Sequence, residues 1–405
     1  MKAFEIPEFY RSPLITAIKQ RRKLDDKMKK DFTPTKLDFG PIEIYLARHF
    51  GFCYGVENAI EIAFKTVNEN PGKRIFLLSE MIHNPQVNAD LLQSGVRFIM
   101  DTLGNHYIGW NELNNEDIVI IPAFGTTLET EQTLKNIGID PLLYNTTCPF
   151  VEKVWNRSEQ IANKGYTIII HGKPQHEETR ATFSHSSHSG PALVVNDLTE
   201  AKKLEKYILK TTALTNFFEE FKGQYSEGFN PETDFERIGV VNQTTMLASD
   251  TEEIADFLKQ VITQQGNGDT DRFADTKDTL CYATNDNQSA VMGMLHVQAD
   301  LAIVVGGYNS SNTSHLVELC ESKLPTYYIE NDSKIKADGS ITHYMLHDHM
   351  EIDSVSFLPN TTKTRILITS GASCPDAIVE QVIIKILGFF PEAHSIDAVI
   401  NHMNN

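Results

Sequence analysis

The chain has 405 residues, 41% of them hydrophobic, which is enough to bury a sizeable core in more than one domain. No apolar run approaches the roughly 20 residues of a membrane helix, and the start MKAFEIPEFY has no signal-peptide core, so a soluble, cytoplasmic protein without a membrane partner is expected. The formal charge of −18 disfavours general nucleic-acid binding, and five cysteines scattered over a long chain disfavour a disulfide framework, leaving metal binding, catalysis or packing.

Residues 1–40 form an N-terminal extension outside the pattern that follows. Lys19, Arg21, Arg22, Lys23, Lys27, Lys29 and Lys30 crowd one stretch of it. Such a run reads either as a solvated helix or arm, or as a docking patch for an acidic protein.

A first module is expected over 41–147. The apolar run Ile42, Ile44, Leu46 predicts a strand, Gly51-Phe52-Cys53-Tyr54-Gly55 a turn, and Val56, Ala59, Ile60, Ala63 and Phe64 the buried stripe of a helix. Cys53 thus stands where a strand hands over to a helix. Ile75–Leu78 then leads to His83, and Ile118–Ile121 to Pro122-Ala123-Phe124-Gly125-Thr126-Thr127.

The second module, 148–280, repeats the arrangement. Pro149 suits a first helical position, which makes Cys148 the N-cap of a helix carrying Val151, Val154 and Ile161. The strand Thr167–His171 leads to Lys173, His176, Glu177 and Glu178, a set suited to an anion with an acid nearby; His171 itself reads as structural. Ser184–His188 reads as a polar loop, 206–236 as an insertion, and Ile238–Val241 leads to Asn242-Gln243-Thr244-Thr245.

The third module, 281–405 with its C-terminal tail, opens on Cys281 and a helix through Val291 and Met294. Gly306-Gly307-Tyr308-Asn309-Ser310-Ser311-Asn312 follows the strand Leu301–Val305 with the composition of a phosphate cradle, because short side chains let backbone N–H groups approach oxygens. Ile366–Ile368 ends in Ser370-Gly371-Ala372-Ser373. His343, His347 and His349 have the spacing of a surface helix face.

From each cysteine to the next polar strand end the spacing is 30, 28 and 29 residues (53 to 83, 148 to 176, 281 to 310). This period predicts an α/β fold of three pseudo-repeated βαβ modules with parallel strands and right-handed crossovers. Ligands of such sheets gather beyond the carboxyl ends of the strands, so three facing modules would bring three thiolates and three polar loops to one cavity. The cysteines are too far apart in sequence for a zinc ribbon or a ferredoxin. A Cys₃ zinc site and a [4Fe–4S] cluster with one open iron both remain. Cys320 reads as packing within a helix, whereas spacing alone does not exclude Cys374 as a ligand.

The segments GFCYGV, EMIHNPQV, NTTCPFVEKVW, HGKPQHEET, NQTTML, CYATNDNQ, GGYNSSNTSHL and TSGASCPD, in unbroken order over about residues 42–390, closely resemble the 4-hydroxy-3-methylbut-2-enyl diphosphate reductase family. The resemblance implies a three-lobed trefoil around one [4Fe–4S] cluster per chain, ligated by Cys53, Cys148 and Cys281. It implies substrate contacts from His83, His176, Ser310, Ser311, Asn312 and Ser373, a proton source at Glu178 and a hydroxyl relay at Thr244. Because Ser373 holds the family position, Cys374 becomes a neighbour. The implied reaction is reductive dehydroxylation of an allylic diphosphate to isopentenyl and dimethylallyl diphosphate, the last step of the methylerythritol phosphate route. Electrons would come from ferredoxin or flavodoxin, since no flavin or nicotinamide fingerprint is visible. Phe124 stands where many bacterial members place a histidine. The longer plant and cyanobacterial form also reads PAFG and carries an N-terminal extension, so the resemblance is to that branch. The competing readings are a quinolinate-synthase-like three-cysteine cluster enzyme and a cluster-based redox sensor without turnover.

Overall fold

The computed structural model describes residues 4–274 and 279–404. The first strands in chain order are β1 (Thr35–Asp38), β2 (Ile42–Leu46), β3 (Ile75–Leu77), β4 (Arg97–Phe98) and β5 (Ile118–Ile120). β6 (Thr167–His171), β7 (Ala192–Val195), β8 (Ile238–Asn242) and β9 (Phe273–Ala274) follow. The last are β10 (Leu301–Val305), β11 (Thr326–Ile329), β12 (Ile341–Met345), β13 (Met350–Ser354) and β14 (Thr364–Ser370). No helix among the described residues is long and apolar enough to cross a membrane.

The chain divides into two compact units. One comprises Met1–Glu57, Ile82–Ala89 and Tyr282–Asn405, the other Asn58–Met81 and Asp90–Cys281.

The second unit holds two sheets, β4-β3-β5 and β7-β6-β8-β9, with every neighbouring pair parallel. Their strands IFL, IVI, TIIIH and IGVVN are buried along their whole length. A continuous apolar run is what a strand covered on both faces requires, whereas a strand with one wet face would alternate. The 206–236 segment, expected as an insertion, packs Phe217, Phe221, Phe229 and Phe235 against Ile169, Leu193 and Ile254 in one core. Rings of Phe217 and Phe221 stack at 5.1 Å, so this segment adds its own aromatic layer.

The other unit carries the sheet β1-β2-β14-β10-β11, in which only the β1–β2 pair is antiparallel. Here residues of the N-terminal extension form part of the fold. The helix Pro13–Asp25 is capped by Ser12, whose hydroxyl accepts from the Ile15 N–H, and it buries Leu14, Ile15 and Ile18 in the core. The basic stretch thus begins on a core-anchored helix, with Lys23, Lys27, Lys29 and Lys30 exposed.

The three larger sheets share a plan. The strand following each cysteine-led helix (β3, β6, β10) is central, with β4, β7 or β11 on one side and β5, β8 or β14 on the other. The strand preceding each cysteine, however, pairs with the last strand of the previous sheet. β2 lies beside β14, β9 beside β8, and Asn145 makes a parallel bridge to Ile121 just past β5. Chain order places each of these strands with the helix that follows it, yet hydrogen bonding gives it to another sheet.

Two local expectations are corrected. His343, His347 and His349 belong to a β12–β13 hairpin rather than a helix, and His343 is buried with its Nε2 2.9 Å from Ser354 Oγ. Residues 184–188 continue the helix Glu177–Ser189 instead of forming a loop, because Ser186 is buried and His185 stacks flat on Trp155 at 3.7 Å.

Candidate active site

In the first unit the site gathers at the carboxyl ends of β10 and β14. After β10 the chain passes Gly306 and Gly307 and enters the helix Ser311–Glu321, capped by Ser310, whose Oγ accepts from the Thr313 N–H at 3.2 Å. A side chain at Gly307 is impossible without movement, since a Cβ there would lie 2.6 Å from the His83 carbonyl oxygen. The Tyr328 hydroxyl donates to the Gly307 carbonyl and holds the loop from behind. Ser310, Ser311 and Asn312 are all buried at this helix start, where unsatisfied N–H groups and the dipole favour an anion.

One peptide joins this cradle to a cysteine. The Ala372 N–H donates to Asn312 Oδ1 at 3.0 Å, while the Ala372 carbonyl accepts from the Cys53 N–H at 3.1 Å. Next in the chain, Ser373 Oγ donates to the His83 carbonyl at 3.0 Å. Cys53, His83, Ser310, Ser311, Asn312 and Ser373 are thus tied together within a single unit. The Asn312 amide nitrogen is buried without a hydrogen-bond partner among the described residues, the state of a donor facing a ligand site. Burial pushes the Cys53 thiol up, against the pull of the Val56 and Gly55 N–H groups. Desolvation therefore outweighs the helix N-terminus here.

The second unit assembles the remaining residues. Cys148 is the N-cap of Pro149–Ala162, with Pro149 at its first position, and its N–H donates to the Ala123 carbonyl at 2.9 Å. The adjacent Phe124 ring packs edge-on against His176, centroids 5.7 Å apart. His176 caps the helix Glu177–Ser189, its Nδ1 accepting from the Glu178 N–H at 3.2 Å. Glu178 is 1% exposed, and its Oε1 accepts from the backbone N–H of Thr244. The contact to Thr244 is thus made by the main chain. Cys281 is buried and directly precedes the helix Tyr282–Met294; Thr279, two residues before it, donates to Asn242 at the end of β8.

Supporting residues escaped the sequence reading. Gln243 Oε1 accepts from Thr179 Oγ1 at 2.9 Å and from the Lys173 N–H at 3.2 Å, while its Nε2 donates to Thr245 at 2.7 Å. This one side chain joins the loop after β6, the Glu178 helix and the loop after β8. Its signal was present as an amide directly following an apolar strand, but such a residue reads equally as a solvated turn.

Among the described residues no three His, Cys, Asp or Glu side chains gather as ligands of one metal ion. Thiol donors without accompanying oxygen ligands suit an iron–sulfur cluster, whose separate corners each take a thiolate. Cys53, Cys148 and Cys281, none of them in a disulfide among the described residues, are thiols of that kind.

Parallel sheets whose strand ends carry cysteine-led helices and a buried polar helix start give the architecture of an α/β enzyme. The family model described as LytB protein matches residues 44–387, and the chain belongs to that family. It is 41% identical over 353 residues to 4-hydroxy-3-methylbut-2-enyl diphosphate reductase of Picosynechococcus sp., covering 87% of this chain and 85% of that protein. The protein of the same name from Trichormus variabilis is 38% identical over 386 residues, covering 95% and 91%. Among solved structures, (E)-4-hydroxy-3-methyl-but-2-enyl diphosphate reductase, described as the terminal enzyme of the non-mevalonate pathway, aligns at a TM-score of 0.51 and 26% identity over 85% of this chain and 99% of that one. The E-1-hydroxy-2-methyl-but-2-enyl-4-diphosphate reductase of Plasmodium falciparum shares the fold at a TM-score of 0.63, with 22% identity over 89% of this chain and 90% of that one.

Proposed function

We infer that the chain catalyses reductive dehydroxylation of 4-hydroxy-3-methylbut-2-enyl diphosphate to isopentenyl and dimethylallyl diphosphate. The allylic alcohol takes up two electrons and two protons and leaves as water plus either product. The observation that carries this reading is the Ala372 peptide, which hydrogen-bonds a candidate ligand cysteine on one side and an anion cradle on the other.

Cys53, Cys148 and Cys281 would hold one [4Fe–4S] cluster, with the three sheets as lobes of a trefoil. When bound, such a cluster supplies single electrons and a Lewis-acidic iron. The chain's own residues do the rest. Ser310, Ser311, Asn312 and the helix start behind them receive the diphosphate, with Ser373, His83 and His176 as further donors. Phe124 offers no donor, and its packing on His176 holds that ring in place instead. Glu178, shielded from bulk water, passes a proton toward the departing hydroxyl oxygen, and the Thr244 loop fixes its carboxylate. Ferredoxin or flavodoxin serves as the electron donor.

The test is anaerobic purification followed by reduction with dithionite. Iron and sulfide near about four per chain, and conversion of the diphosphate alcohol to the two five-carbon products, are expected. An iron-loaded, reduced protein that leaves the alcohol untouched overturns the assignment.

A further inference from the structure

The basic stretch at residues 19–30 resolves into two groups. Lys19 pairs with Asp376 at 2.8 Å, Arg21 with Asp25 at 3.2 Å and Arg22 with Asp31 at 3.1 Å, so these three charges serve the fold. Lys23, Lys27, Lys29 and Lys30 are exposed and make no ion pair among the described residues. Between them Leu24 and Met28 are 70% and 73% exposed. Two bare apolar side chains ringed by unspent lysines have the make-up of a protein contact surface, with an apolar centre and a charged rim.

This surface borders a cavity of about 400 Å³ that lies wholly in the first unit. Its walls include Lys23, Lys29, Arg48, His49, Phe52 and Cys53. Arg48 is 8% exposed, and its Nε is buried without a hydrogen-bond partner among the described residues; His49 Nε2 is in the same condition. Arg48 pairs with Asp26 at 3.5 Å, burial lowers the His49 ring, and Glu57, Asp286 and Asp376 also line the cavity, so the positive character of this face rests on exposed Lys23, Lys27, Lys29 and Lys30 against a chain charge of −18.

We propose that residues 23–30 and the adjoining cavity are the landing surface of a small acidic electron-carrier protein, which delivers electrons through the face that contains Cys53. The proposal rests on the reductase reading and adds the place of entry. Acidic side chains of the carrier meet Lys23, Lys27, Lys29 and Lys30, and its apolar patch covers Leu24 and Met28. Each encounter oxidises the carrier by one electron, and two encounters supply one turnover. Opposite charge raises the encounter rate and makes it sensitive to salt. The net charge of −18 disfavours unspecific approach of such a carrier.

The experiment uses the cluster-loaded protein, its K23E/K27E/K29E variant and reduced or oxidised ferredoxin. For oxidised ferredoxin, calorimetric Kd is expected to rise on the order of tenfold in the variant and to lose most of its dependence on salt between about 50 and 200 mM. Ferredoxin-driven turnover should fall in parallel, while dithionite-driven turnover and iron content stay at the parent level. An unchanged Kd overturns the docking surface. So does equal slowing with both reductants, or a changed oligomeric state, which would make the face a contact between copies of the chain. Parent protein that fails to turn over even with dithionite would instead refute the reductase reading, and the Kd comparison still decides the surface.

Discussion

Ser373 Oγ and the carbonyl oxygen of His83 form a 3.0 Å hydrogen bond between residues 290 positions apart, and the same carbonyl sits 2.6 Å from where a Cβ on Gly307 would stand. Three segments therefore meet at one oxygen. The cradle of Ser310 to Asn312 keeps its position relative to His83 only while all three fit.

Gly307→Ala forces this contact apart, because a backbone oxygen has no rotamer with which to yield. The expected result is a KM for the diphosphate alcohol raised by about tenfold or more, with loss of thermal stability of about 1–3 kcal/mol. Steady-state kinetics with dithionite, beside a melting curve, checks both. An unaltered KM would remove the loop from substrate binding.

Glu178→Gln keeps an oxygen to accept from the Thr244 N–H but has no proton to give. Turnover should fall by about 10²-fold or more, with iron content and substrate affinity retained. A variant that turns over at the parent rate excludes Glu178 as proton source.

Cysteine substitutions should sort into two sets. Cys320 and Cys374 are fully buried in the apolar core of the first unit, where burial pushes the Cys320 thiol up to about 12 and raises Cys374 as well. Cys320→Ala and Cys374→Ala should each keep the parent iron and sulfide content and cost about 1 kcal/mol of stability. Cys53→Ser, Cys148→Ser and Cys281→Ser should each lose iron, as metal analysis would show.

Glu43 on β2 predicts an acid limit to stability. Burial alone would raise its carboxyl, but hydrogen bonds from Lys36, Lys363, Tyr45 and Arg365 prevail and hold it well below the usual range. Distances of 2.6 Å to Lys36, 2.8 Å to Lys363 and 3.1 Å to Arg365 tie β2 to β1 and β14. A carboxyl lowered in the folded state stabilises above its unfolded value of about 4.3 and loses that contribution as pH falls toward the folded one. Glu43→Gln should therefore cost about 3 kcal/mol at neutral pH, a difference that shrinks below about pH 4. Melting temperatures across that range test the sign; a constant difference would refute it.

The amino-acid sequence by itself determined the features that depend on neighbours in the chain. Pro149 after Cys148 sets a helix start, the apolar runs at 167–171 and 301–305 set buried strands, and the recurring distance from cysteine to polar strand end sets the threefold plan. Tertiary structure alone decided which strands pair. β2 stands in the sequence beside the helix that follows it, yet it hydrogen-bonds to β14, as β9 does to β8 and Asn145 to Ile121. Apolar strands are interchangeable as pairing partners by composition, and only the packed sheet selects among them. The same holds for His185, which looked like part of a polar loop until Trp155 supplied a surface to stack on, and for the Ser373–His83 bond. Contacts between residues distant in the chain leave no periodic trace, because their energy is realised only once the intervening chain has folded.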